Sequence, residues 1–178
     1  MIERHVLFSA FGHSGSDAEN FCIFAVDMTL PELNFPAADL HLRRGRDGRR
    51  TVFDAVRGKY IVLTPEEWVR QHLLHYLISF CGVPLRSIVT EYPVNLNGTA
   101  QRADVVVVEP SGAPLLLAEC KAHDVTINQS VLDQAVRYNM ILQARYIVLT
   151  NGLKHYCYER AADGSYVTLK DFPQPMSK

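Results

Sequence analysis

Two runs of this chain, "DVVVV" at 104–108 and "PLLLA" at 114–118, leave the fold little choice. Side chains on a strand alternate between two faces, so a run that is apolar at every position is a strand covered on both sides. Between Glu109 and Pro114 lie the four residues "PSGA", a natural length for a hairpin loop. Two such strands side by side need a layer above and a layer below.

The covering layers are legible as helices. "LTPEEWVRQHLLHYLISFCG" offers Thr64 as N-cap, Pro65 at the first position, Glu67 three residues after the cap, apolar residues at helical spacing and Gly82 at the end. "TINQSVLDQAVRYNMILQA" places Ile127, Val131, Ala135, Tyr138 and Leu142 on one helical face. Between the helices, "SIVTEYPV" and "RADVVVVE" flank the Asn97-Gly98 turn signal and form an antiparallel meander with "PLLLAECK". The second helix then serves as a crossover to "RYIVLT", a strand parallel to its predecessor, and "KHYCYERAADGSYVTLK" reads as a terminal hairpin. Upstream, "LHLRRGRDGRRTVFDAVR" has two extended runs around "RDG", a further hairpin. The expected class is α/β in the α+β sense: a mixed β-sheet flanked by helices, with an N-terminal β-hairpin, in one domain over 28–178. Residues 1–27 show no sustained period and are expected to be a disordered leader or the product of a start placed upstream of Met28.

Composition narrows the function classes. With 178 residues, 48% hydrophobic and 21% charged, the chain has the balance of one globular domain rather than a disordered segment. A net charge of -1 excludes a polycation that binds nucleic acid by bulk charge, so any such contact belongs to a local patch. Cys22, Cys81, Cys120 and Cys157 form no CxxC pair, which fits reduced thiols in a cytoplasmic setting. The apolar runs are shorter than a membrane span, so no membrane partner is expected.

The chemistry gathers at the end of "PLLLAECK". Glu119 and Lys121 point to the same face and Cys120 to the other. If Glu109 faces Pro114 across the hairpin, Asp104 falls opposite Glu119 and Arg102 opposite Lys121. Two neighbouring carboxylates repel, and a divalent cation between them relieves that repulsion. Oxygen ligands without histidine or thiolate favour Mg²⁺ or Mn²⁺. Such an ion activates water and stabilises charge on a phosphoryl transition state, while a lysine beside it orients or deprotonates the water. The alternative is a cross-strand salt bridge of Glu119 with Lys121, which leaves Asp104 unexplained.

"RADVVVV" followed by "AECK" resembles the D…ExK motif of the PD-(D/E)xK nuclease superfamily, the fold of many restriction endonucleases. More narrowly, "FDAVRGKYIVLTPEEWVRQHLL", the stretch from "EYPVNLNG" to "QAVRYN" and "YIVLTNGLKHYCY" resemble the N-terminal domain of type I restriction enzyme R subunits and their small stand-alone relatives. The resemblance runs from about Leu33 to about Leu169. It implies a restriction-endonuclease-like fold, Asp104 and Glu119 as metal ligands, Lys121 as catalytic lysine, and a QxxxY helix motif in Gln134 and Tyr138. Gln134 would point at the site, and Tyr138 either contacts nucleic acid or is a core aromatic. A glutamate of the first helix often completes the metal site in this superfamily; Glu67 is the candidate, with helix capping as its other role. No GxxxxGK[ST] loop occurs in these residues, so the translocating motor of type I R subunits is not part of them.

Arg43, Arg44, Arg46, Arg49 and Arg50 either grip phosphates or form a solvated turn, and Arg102 either contacts a phosphate or neutralises Asp104. His72, His75 and Cys81 lack the spacing of a zinc site. The expected function is Mg²⁺- or Mn²⁺-dependent endonucleolytic cleavage of DNA. Expected partners are DNA and restriction or helicase subunits, with a homodimer as a further option. The rival is a nucleic-acid-binding or partner-docking module that keeps the fold without cutting efficiently alone.

Overall fold

A computed structural model describes residues 30–96 and 98–173. The expected leader at 1–27 and Asn97 lie outside the described residues.

The main sheet has six strands in the order β4 (Ile88–Leu96), β5 (Thr99–Val108), β6 (Pro114–Cys120), β7 (Tyr146–Thr150), β8 (His155–Arg160) and β9 (Tyr166–Leu169). β4, β5 and β6 form the antiparallel meander, β6 and β7 run parallel, and β8 and β9 return antiparallel. Helix α1 (Pro65–Ser79) covers one face and α2 (Gln129–Leu142) the other. This is the restriction-endonuclease-like mixed sheet that the sequence led us to expect. A crossover through α2 is what makes the β6–β7 pair parallel, since a short turn returns the chain antiparallel.

Both apolar strands are covered on both sides. From Leu115 to Cys120 every residue of β6 is buried. Val105, Val107, Leu116, Ala118 and Cys120 pack with Val69, Leu73, Leu74 and Leu77 of α1. Val106, Leu117, Ile147 and Leu149 pack with Val131, Ala135, Tyr138 and Leu142 of α2.

Each helix starts where its cap dictates. The Thr64 hydroxyl accepts from the Glu67 N–H at 3.0 Å, and the Asn128 side chain accepts from Ser130 and Val131 N–H. At the far end of α2, Gln143 turns left-handed (φ 55°), and buried Asn139 exchanges two hydrogen bonds with the backbone of Ala144.

The N-terminal hairpin has a third strand that the sequence reading missed. β1 (Leu42–Arg44), β2 (Arg50–Asp54) and β3 (Lys59–Val62) make a separate antiparallel sheet. The short turn before "KYIV" holds no proline and no Asn-Gly pair, so only its pairing with β2 reveals β3.

Candidate active site

The site lies where β5 and β6 part. Val105, Val106 and Val107 pair with Ala118, Leu117 and Leu116, the register that brings Asp104 level with Glu119. The loop that sets this register differs from the expected one. Val108, not Glu109, faces Pro114, and Leu115 is an extra residue on β6 that restores the count. Beyond Val105–Ala118 no further β5–β6 pair forms, and a side chain takes over from the ladder: Asp104 Oδ2 accepts the Cys120 N–H at 2.7 Å. Arg102 consequently does not lie opposite Lys121. It pairs with Pro93 on β4, its side chain is 72% exposed, and its nearest carboxylate is Glu91 at 3.9 Å. The Lys121 N–H donates instead to Thr150 O of β7 at 2.8 Å.

The carboxylates are held from both helices. On the α1 side, Arg70 Nη2 donates to Asp104 Oδ1 at 2.8 Å and to Glu66 Oε1 at 3.1 Å, while Nη1 donates to Glu67. Burial works against the charge on Arg70, but the surrounding Asp104, Glu67 and Glu66 outweigh it and hold the guanidinium above its ordinary pKa. On the α2 side, Gln134 Nε2 lies 3.2 Å from Glu119 Oε2 and 3.1 Å from the Tyr138 hydroxyl, which donates to Gln101 Oε1 at 3.3 Å. Glu119 itself is 1% exposed, and its Oε1 has no hydrogen-bond partner.

Burial pushes the Glu119 carboxyl from 4.5 up to about 8; the Asp104 charge adds to the rise and Lys121 opposes it. Because the folded chain keeps this proton after the unfolded chain has lost it, metal-free stability declines as pH climbs from about 4.5 towards 8. Melting temperatures taken in EDTA from about pH 5 to 8 are expected to fall across the series and to flatten in Glu119→Gln. A parallel slope in the variant would assign the decline to another group.

Among the described residues, no three His, Cys, Asp or Glu side chains converge into a ready metal-holding group. The donor set near Glu119 is nevertheless one of hard oxygens. Asp104 and Glu66 are its charged neighbours, Cys120 is turned into the α1 core, and one buried oxygen lacks a partner. That set fits a divalent ion that keeps most of its ligands as water, with one or two carboxylates from protein.

Several expected residues occupy other places. The two oxygens of Glu67 are bonded to Arg70 and Gln71. Glu66 is the α1 carboxylate that senses Asp104 and Lys121, and its own pKa is raised by burial and by Asp104. Tyr138 is 5% exposed with its ring in the α2 core, so its hydroxyl positions Gln134 and no ring face is open to nucleic acid. Arg43, Arg44 and Arg50 lie on strands of the small sheet, and Arg46 and Arg49 in the turn between β1 and β2. Arg43 stacks on Tyr60, Arg49 pairs with Asp47, and Arg44, Arg49 and Arg50 line a cavity of about 370 Å³ beside Thr64 and Pro65 at the start of α1. His72 hydrogen-bonds the Trp68 carbonyl and is buried, as a packing residue is.

Arg70, Glu66 and Gln101 were missed. Arg70 had a signal: a charge between Val69 and Leu73 on a buried stripe, four residues after Glu66 and three after Glu67. Gln101 had none, since only the docking of α2 brings it to Tyr138.

A mixed sheet sandwiched by two helices, with a D…ExK cluster at the fork of two central strands, defines a restriction-endonuclease-like domain. The chain belongs to the family described as type I restriction enzyme R protein N terminus (HSDR_N), whose model matches residues 65–173. It is also similar to a fragment structure described as an HsdR subunit of a type I restriction enzyme from Vibrio vulnificus YJ016, with TM-score 0.50 and 21% identity over 64% of this chain. That likeness concerns the fold, and the chain spans 24% of the fragment. No match was found among curated proteins. No helix among the described residues is long and apolar enough to cross a membrane.

Proposed function

We propose that this chain is a metal-dependent DNA endonuclease module of the kind found in restriction enzymes, with Mg²⁺ or Mn²⁺ as cofactor. The observation that carries the reading is the buried Glu119 oxygen without a hydrogen-bond partner beside Asp104, with Lys121, just past the end of β6, close enough for its charge to act on Glu119. Among the described residues a cross-strand salt bridge of Glu119 with Lys121 is not formed, which leaves that oxygen open to an ion.

When bound, the ion supplies Lewis-acid activation of a water and of the scissile phosphate. The chain's own residues do the rest. Asp104 and Glu119 hold the ion, with Glu66 available through water. Gln134 fixes the Glu119 carboxylate by its hydrogen bond, and Tyr138 and Gln101 fix Gln134 in turn. Lys121 offers an ammonium to the attacking water or to the phosphate oxygen. The arginines of the small sheet and Arg102 supply phosphate contacts that offset the chain's net charge of -1. Partners on this reading are DNA and other subunits of a restriction or helicase assembly, with pairing of two copies as a route to double-strand cuts.

A second reading has its own observation. Arg70 already neutralises Asp104, which suits a module that grips nucleic acid or docks a partner and cuts only when assembled.

Incubating the full chain with supercoiled plasmid separates the two. Nicking that needs Mg²⁺ or Mn²⁺, stops in EDTA and disappears in Asp104→Asn is the expected result. Retention of DNA that weakens with salt, without nicking, favours the binding module.

A further inference from the structure

Glu91 has φ 53°, the left-handed region, in the middle of the nine-residue strand β4. Thr90 pairs with Val105 and Tyr92 with Ala103, so Glu91 stands opposite Asp104 in a step where no pair forms and the register does not change. In a regular pleat, residues two apart share a face. Here the faces exchange. Ile88, Val105 and Val107 belong to the α1 core, whereas Val94 and Ala103 belong to the α2 core with Tyr92 packed against it. Had β5 kept its alternation, Asp104 would lie with Val106 beneath α2. Its carboxylate instead meets Arg70 of α1 and the Cys120 N–H.

The step is clamped from the small sheet. Arg57, in the turn between β2 and β3, places Nη2 3.1 Å from Glu91 Oε1 and Nε 3.0 Å from Thr90 Oγ1. Its own N–H donates to the fully buried Asp54 at 2.8 Å, which fixes the turn. A left-handed non-glycine residue persists only when its surroundings over-determine it, and such residues concentrate at functional sites.

We propose that Glu91 and Arg57 are positioning residues for Asp104: the left-handed step at Glu91, clamped by Arg57, turns Asp104 onto the α1 side and ties the N-terminal sheet to the site. The consequence for metal binding rests on the nuclease reading, whereas the turning of Asp104 does not. The test compares Glu91→Val, whose branched side chain resists the left-handed region, with Glu91→Gly, which enters it freely. Amide hydrogen exchange of Cys120 reports the Asp104 contact, with Leu117 in the middle of β6 as internal control. In Glu91→Val the Cys120 amide is expected to exchange about tenfold faster relative to Leu117, and Mn²⁺ affinity to fall by about the same factor. Glu91→Gly stays within about threefold of the parent on both. Arg57→Ala, with the backbone of Glu91 left native, also speeds Cys120 exchange relative to Leu117, and it carries the test if Glu91→Val does not fold. Unchanged relative exchange in a folded Glu91→Val or in Arg57→Ala, or equal acceleration in the glycine and valine variants, overturns the proposal. A parent chain that binds no Mn²⁺ sinks the metal reading alone, and the exchange data still decide this one.

Discussion

Lys121→Ala is expected to lower metal-dependent DNA cleavage by about a hundred- to a thousandfold, the usual cost of removing one group that stabilises transition-state charge. The fold is expected to survive. Lys121 is half-buried, its position is fixed by the backbone bond to Thr150 O, and no ion pair among the described residues involves its side chain. Truncation therefore orphans no buried partner, unlike the loss of a paired charge. Lys121→Arg is expected to recover little, because a planar guanidinium at the end of a longer stem cannot occupy the place of a compact ammonium. The measurement is the initial nicking rate in Mg²⁺ beside the melting curve. Parental cleavage in a well-folded alanine variant would remove Lys121 from the chemistry.

Arg70→Ala acts chiefly on stability. The side chain is 7% exposed and contacts Glu66, Glu67 and Asp104, so removing it leaves these carboxylates without the cation that pairs with all three. Losing one member of a buried charge group costs about 3–5 kcal/mol. At the slope typical of a chain this size, that is roughly 6–20 °C of Tm. Divalent metal should give part of it back, since an ion that binds only the folded state stabilises by mass action. Thermal melts with and without Mn²⁺ are the check. The increment from Mn²⁺ is expected to be larger in Arg70→Ala than in the parent, and an equal increment would mean that Arg70 and the ion do not share the same carboxylates.

How much of this was legible follows from which forces are local. α1 could be read from Thr64, Pro65 and its apolar spacing, because caps and periodicity act within a few residues. That Asp104 stands level with Glu119 could be read because pairing register persists over the whole buried stretch, but the side-chain period does not continue through Asp104, whose carboxylate turns to the α1 side. The loop assumed for it was wrong by one residue, and Leu115 absorbed the error. The roles of Arg70 and Glu91 could not be read. Arg70 depends on which way a helix is rolled against the sheet, and the turn at Glu91 on a clamp from a separate sheet. Glu67 was expected to complete the metal site, with helix capping as its other role; the roll of α1 turns its oxygens to Arg70 and Gln71 and couples Glu66 to Asp104 and Lys121.

The hydrogen bonds of the site connect distant parts of the chain: Arg70 to Asp104 across 34 positions, Tyr138 to Gln101 across 37, and Gln134 to Glu119 across 15. During synthesis the small sheet and α1 emerge first, then the meander, and α2 only afterwards. Contacts of such separation form late, after the entropy of closing their loops has been met. A nascent or partly unfolded chain thus carries every acidic group of the cluster without the constellation. The constellation is completed only with the docking of α2, so whatever the cluster binds or transforms meets it only in molecules that have finished folding.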